Sequence, residues 1–250
     1  METKGITKTA TFTSLFTAAL LVANVSMAKA EGESQVETSV GVDIVSQYIW
    51  RGTDCGGISI QPALGVSYGG LSLGAWGSWD GGDIREVDFT LGYAAGPLSV
   101  AVTDYWINSS EVPYFKYKKD ETAHIFEGTV GLDLGIISLS WNTCFAGEDY
   151  KMDSEGEYKL KDNGKKKRAF SSYAEVAAPF SVGGIEWTAT VGAATNESVM
   201  YGTSGFSITN ISLGATKELK FSETYSMPVS CAVIANPHAD KLYLVATISF

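Results

Sequence analysis

The sequence predicts an all-β fold, a transmembrane antiparallel up-and-down β-barrel of about twelve strands. Three observations carry that expectation. Residues 241–250 read as one alternating strand that runs to a terminal aromatic, Phe250. Residues 1–30 hold a short apolar run behind two lysines, the pattern of an export signal. Between these ends, apolar side chains recur at every second position, in segments near the ~10-residue length of a tilted membrane strand.

At the N-terminal end, Lys4 and Lys8 precede the apolar run 12–25, and Ala28-Lys29-Ala30 offers small residues for cleavage. Residues 1–30 therefore read as a cleaved signal peptide and 31–250 as the barrel domain. No cysteine sits at the cleavage point, so no lipid anchor is expected, and no later stretch reaches the ~20 apolar residues of a spanning helix. Residues 1–30 carry three lysines and one glutamate, so their removal takes the formal net charge from −10 to −12. That balance argues against nucleic acid as a partner and favours cations over anions as entering solutes. Three cysteines (Cys55, Cys144, Cys231) cannot all pair within one chain, and their spacing matches no zinc pattern.

The strands follow from period-2 alternation. The first spans 40–50, with Val40, Val42, Ile44, Tyr48 and Trp50 on one face and Gly41, Asp43, Gln47 and Arg51 on the other. The second groups Ile58, Ile60, Leu64, Val66 and Tyr68; the third Leu71, Leu73, Ala75 and Trp79; the fourth Val87, Phe89, Leu91 and Tyr93. Further strands are expected at 98–107, 124–132, 136–145, 170–180, 185–194, 206–216, 224–234 and 242–250. Pro62 and Pro228 fall inside strands, where a closed barrel has no free edge, so each predicts a bulge. Asp104 and Asn210 land on the apolar face, which predicts local register slips.

Links from even to odd strands are short (69–70, 95–97, 133–135, 181–184), and several odd-to-even links are long (108–123, 147–169, 195–205). Outer-membrane barrels sort their periplasmic turns and external loops in this way. The link 217–223 is longer than the pattern predicts. Tyr48, Trp50, Trp79, Trp106 and Phe145 are expected as one aromatic girdle, and Tyr68, Tyr93, Leu98, Phe180 and Phe250 as the other.

With the apolar face outward, the lumen would carry Asp43, Gln47, Arg51, Asp80, Glu86, Asp88, Glu127, Asp133, Glu175 and Glu186. Carboxylates dominate this set, and carboxylate-lined pores favour cations. The residues allow a water-filled channel for small solutes, or a narrow interior closed by side chains and loops. Arg51 would either reach Glu86 or Asp88 across the mouth or stand solvated at the rim.

The loop 147–168 sets Glu148, Asp149, Asp153, Glu155 and Glu157 before Lys165-Lys166-Lys167-Arg168. It lacks the ligand spacing of a calcium loop and reads as solvated, its basic run expected either to touch lipopolysaccharide phosphates or to steady the membrane edge. Catalysis is not expected. Only His124 and His238 are available as histidine bases, and no motif places Ser109 or Ser110 beside one with an orienting group. No cofactor or metal is expected. A soluble periplasmic sandwich is the remaining alternative.

Val42-Asp-Ile-Val-Ser-Gln-Tyr-Ile-Trp-Arg-Gly52, Gln61-Pro-Ala63, Leu73-Gly-Ala-Trp-Gly-Ser-Trp-Asp80, Glu86-Val-Asp88 and Gly92-Tyr93 follow in this order. Over residues 40–106 the chain resembles the TorF-like porins, a family of exported barrel-type proteins, although Asp54-Cys55-Gly56-Gly57 replaces the polar link more usual there. The resemblance implies an outer-membrane porin. The expected partners are therefore outer-membrane lipids and lipopolysaccharide, the barrel assembly machinery that reads Phe250, and small, preferably cationic or neutral solutes. The alternative function is a closed barrel that binds, adheres or supports through its external loops.

Overall fold

A computed structural model of the protein describes residues 36–82, 85–107, 112–223 and 225–250. The expected signal peptide, the mature terminus at Glu31, and Ser109 and Ser110 lie outside these residues. Twelve strands close into an antiparallel barrel. They are β1 (Glu37–Val45), β4 (Ser59–Tyr68), β5 (Leu71–Trp79), β6 (Arg85–Ala95), β7 (Leu98–Ile107), β8 (His124–Asp133), β9 (Ser138–Gly147), β10 (Ser172–Val182), β11 (Ile185–Ala194), β14 (Ser207–Lys220), β15 (Ser226–Asn236) and β16 (Lys241–Ser249). Two small hairpins stand apart from the wall: β2 (Tyr48–Trp50) with β3 (Thr53–Gly56), and β12 (Glu197–Ser198) with β13 (Thr203–Ser204). Among the described residues there is no helix.

Alternation sets the wall. Val40, Leu64, Leu73, Leu91, Val100, Val130, Val191, Val233 and Leu244 face outward and are exposed, an apolar belt around the wall. Ser72, Thr90, Thr103, Thr190, Ser212, Thr216, Ser230 and Thr247 point inward and are buried. Neighbouring hydroxyls pair across strands, Thr90 with Thr103 at 3.0 Å and Thr216 with Ser230 at 2.9 Å. An interior of short hydroxyl side chains keeps the wall polar within, and these pairs satisfy part of its hydrogen-bonding capacity, while the Ser212 hydroxyl is buried without a partner.

Three of the short connections, 69–70, 96–97 and 183–184, are two-residue turns. Gly69 and Gly70 both have positive φ, as do Gly183 and Gly184, the requirement of the type I′ hairpin. β14 runs on to Lys220, so the link expected at 217–223 moves to 221–225 and shortens from seven residues to five. The seam joins β1 to β16 over Asp43↔Ser249, Ile44↔Ile248 and Val45↔Thr247. Phe250 extends it with its backbone, donating to the Val42 carbonyl at 3.0 Å and accepting from the Val42 N–H at 3.2 Å.

Several sequence expectations change. The first wall strand ends at Val45, and the chain then turns inward, so Tyr48 and Trp50 are buried in the barrel core rather than in a girdle. The remaining aromatics expected at the short-turn end, Tyr68, Tyr93, Phe180 and Phe250, are exposed on the outer face. Pro62 causes no bulge: the ladder to β5 lapses between Ile60 and Ala63 with no change of register. Pro228 pairs with Glu218 beyond the point where the β16 ladder begins, and it is unbulged too. The wall bulges sit at Phe126/Glu127 and Gly192/Ala193, and the β2–β3 hairpin has its own register shift at Tyr48/Ile49. The second wall bulge accommodates Thr209 as an extra residue and turns Asn210 inward, the slip expected there. Asp104 shows no slip. It stays on the outer face, where His124 Nδ1 lies 2.7 Å away and the Tyr117 hydroxyl donates to it at 3.4 Å.

Candidate functional site

The β2–β3 hairpin is the link between β1 and β4, and it folds into the lumen instead of rising above it. Its turn is Arg51-Gly52, with φ of 49° and 79°. Two positive φ values make a type I′ turn, whose twist suits a tight hairpin. Gly52 also lies against the wall: a Cβ there would stand 1.8 Å from the Thr209 carbonyl oxygen. The tip is tied down by Thr209 Oγ1 donating to the Arg51 carbonyl at 3.2 Å and Asn236 Nδ2 donating to the Gly52 carbonyl at 2.9 Å.

Alternate side chains of the hairpin meet opposite walls. Ile49 packs on the inward residues Ala232, Ile234 and Val245 of β15 and β16. Tyr48 leans on Trp76 of β5 with centroids 5.5 Å apart, and Trp50 meets Tyr105 of β7 edge-on at 5.9 Å. From the other side Tyr201, at the tip of the β12–β13 hairpin, stacks on Trp50 at 5.5 Å and 11°. Tyr173 continues the stack at 5.5 Å from Tyr201. Gly192 makes room for it, since a Cβ there would meet the Tyr173 hydroxyl at 1.8 Å. Two hairpins thus fill the barrel at its long-loop half.

Arg51 is the centre of this plug. It is 7% exposed, and its guanidinium donates to both oxygens of Glu127, Nη1 to Oε2 at 2.7 Å and Nη2 to Oε1 at 2.9 Å. Glu127, on β8, is 1% exposed and also accepts from the Tyr105 hydroxyl at 2.9 Å. Nη1 donates to the Tyr201 hydroxyl oxygen at 2.6 Å. The guanidinium carbon lies 4.4 Å from the Trp50 ring centroid and 4.8 Å from that of Tyr173. A planar fork can make a two-pronged bond to a carboxylate while its faces stack on rings, which suits Arg and not Lys. The reach expected from Arg51 to Glu86 or Asp88 is not made, because the I′ turn carries Arg51 past them to β8.

The other lumen candidates divide. Glu86 and Asp88 are buried on the inward face of β6, and both oxygens of Asp88 lack a hydrogen-bond partner. Glu175 accepts from the Tyr173 hydroxyl at 2.6 Å and from Asn210. Gln47 donates to Asp54 at 2.9 Å across the base of the hairpin. Asp43 is half-buried at the seam. Asp80 lies in the link after β5, whereas Asp133 and Glu186 keep the inward parity and stand exposed at the short-turn end of the barrel. Asp80 and Asp133 cap turns at Gly82 and Gly135, and Glu186 accepts from Ser181. Sequence reading missed Tyr105, Tyr173 and Tyr201, which carry the plug with Trp50. All three cysteines are free thiols, with Cys144 buried in β9 and Cys231 exposed on β15.

The loop 148–171 is folded, and its stretches 153–157 and 160–165 are exposed to solvent as expected. Bridges at Tyr150↔Arg168, Met152↔Tyr158 and Leu160↔Lys166 fold it back on itself. Two members of its basic run pack onto the loop, Lys166 at 3.7 Å from the Tyr158 ring centroid and Arg168 donating to the Gly147 carbonyl, while Lys165 and Lys167 are exposed. The Tyr158 hydroxyl donates to Glu148, a bond that with burial pushes the phenol up to about 12. Lys151 and Lys159 donate to the two oxygens of Glu197 at 2.8 and 2.6 Å, which binds this loop to the β12–β13 hairpin.

Hydrogen bonds from these two ammonium groups lower the Glu197 carboxyl from its ordinary 4.5 to about 2. A carboxylate depressed on folding stabilises above its unfolded value and loses that contribution as pH falls through the folded one. The Glu197 clamp is therefore expected to be complete above 4.5 and released as pH falls toward about 2. Amide-exchange protection in residues 151–159 should follow that window in the parent and be low at every pH in Glu197→Gln. Protection that stays flat to the acid end would contradict the clamp.

His124 is not placed as a catalytic base. Nδ1 lies 2.7 Å from Asp104 and Nε2 2.5 Å from the Tyr114 carbonyl oxygen, so each ring nitrogen already faces an acceptor. His238 Nε2 lies 3.0 Å from the Gly202 carbonyl oxygen. No protein-family model matches the chain, and no curated protein matches it significantly.

Proposed function

We propose that the protein is an outer-membrane barrel, exported by its N-terminal segment and inserted with its long loops outside, that rests closed and acts by binding at its external face. The apolar belt and the sorting of short turns from long links support insertion. Closure rests on one observation: the Arg51–Glu127 pair, shielded by Trp50, Tyr105, Tyr173 and Tyr201, occupies the middle of the lumen. A freely permeable pore has a hydrated lumen, whereas here an arginine and its carboxylate are both withdrawn from water.

The resemblance to TorF-like porins supports a second reading, passage of small cations once the hairpin withdraws. Glu86 and Asp88 favour it, because a vacated lumen would leave two carboxylates beside the path. Planar-bilayer recording with a salt gradient separates the two. The closed reading expects silence from protein that shows heat-modifiable gel mobility. Steady conductance steps with a cation-directed reversal potential from the parent would sink it and establish the channel.

A further inference from the structure

Between the plug and the folded loop lies a cavity of about 360 Å³. Its size falls within the range of small-molecule sites. Tyr48, Trp50, Tyr105 and Tyr150 supply aromatic walls, Met200 an adaptable one, and Glu86 a carboxylate. Glu148 and Asp149 also reach it, and no cationic side chain lines it. Glu86 itself is buried, and among the described residues no ion pair joins it to a lysine, arginine or histidine.

Two buried polar groups at or below the cavity have no hydrogen-bond partner. Thr53 Oγ1, on the cavity wall, is buried with no hydrogen bond. One inward step deeper along β6, Asp88 is 1% exposed and neither of its carboxylate oxygens has a partner. Buried polar groups are normally satisfied, and an uncompensated buried carboxylate is costly. Of the carboxylates Glu86 and Asp88, only Glu86 lines the cavity, and its complement there is positive charge entering from the loop side.

We propose that this cavity binds a small organic cation, with its ammonium head against Glu86 and its substituents against the Trp50, Tyr48 and Tyr105 rings. Ring faces attract cations, most strongly where water is excluded, and tryptophan is the strongest of the three aromatic partners. A bare metal ion is a poorer fit. Hard divalent cations take six or more oxygen ligands, and no group of three metal-ligating side chains is gathered among the described residues.

The proposal deepens the reading of a binding external face, and the two fail separately: bilayer recording tests closure, whereas ligand titration tests the cavity whether or not the lumen conducts. The probes are choline, tetramethylammonium and 3,3-dimethylbutan-1-ol, the uncharged isostere of choline. They are titrated calorimetrically into the detergent-solubilised protein. Choline and tetramethylammonium should bind, the neutral alcohol should not, and Glu86→Gln should weaken choline about tenfold or more. Equal binding of the alcohol, unchanged affinity in Glu86→Gln, no heat with either cation, or displacement of choline by calcium would each overturn the proposal. The comparison of choline with its isostere on the parent protein decides the matter even where Glu86→Gln does not fold.

Discussion

Replacing Arg51 by methionine is expected to destabilise the closed state by about 3–5 kcal/mol, the usual cost of removing one partner of a buried ion pair. The cost arises on the other side of the bond. Glu127 would keep only the Tyr105 hydroxyl as a donor while remaining 1% exposed. The chain has one way to limit that loss: the β2–β3 hairpin can leave the lumen and let water reach Glu127. Two readouts follow. Denaturant unfolding in micelles should shift to lower concentration, and conductance should appear in a bilayer where the parent is silent. The double variant Arg51→Met, Glu127→Leu should recover much of the stability, because it removes both charges and leaves apolar groups beside Trp50 and Tyr201. An Arg51→Met protein as stable and as silent as the parent would show that the pair does not hold the hairpin.

The wall was legible because its outer face has one uniform demand. Leu71, Leu73 and Leu91 had to be apolar wherever the strand lay in the sheet, so period-2 counting found them. Tyr48 and Trp50 obey the same period and share the parity of Val42 and Ile44, yet they face a packed lumen. A residue buried by a plug and a residue facing the outer belt carry the same hydrophobic signature. What separates them is the bend at Ser46-Gln47 and the Arg51-Gly52 turn. Asn-Gly or Asp-Gly would have announced a type I′ hairpin; an arginine at positive φ does not. The pairing of Arg51 with Glu127 spans 76 positions and depends on barrel closure, so no local pattern contains it. Asn210 was legible as an anomaly, because a polar side chain on an apolar face requires either a partner or a slip. Asp104 raised the same alarm and resolved the other way, by pairing with His124.

Gly52→Ala is expected to drive the hairpin tip off the wall. The added Cβ would lie 1.8 Å from the Thr209 carbonyl oxygen and 2.7 Å from its carbon, both backbone atoms that cannot swing aside. It would also sit at a φ of 79°, where a side chain is strained. Retreat of the tip breaks the bonds from Thr209 and Asn236 and pulls Arg51 away from Glu127, so one methyl group undoes the whole anchorage. The lumen would then be lined by Glu86, Asp88 and an unpaired Glu127, three carboxylates facing one arginine that is no longer fixed. Bilayer recordings of Gly52→Ala should therefore show conductance steps with a cation-directed reversal potential. Its heat-modifiable mobility should persist, since every wall strand is untouched. Gly57→Ala is the matched control: no atom lies within 4 Å of a Cβ there, and the parent's silence should be retained. Silence in both variants, with the barrel shown to be folded, would mean that the tip can shift without opening a path. The stacked Trp50, Tyr201 and Tyr173 rings would then be the true barrier.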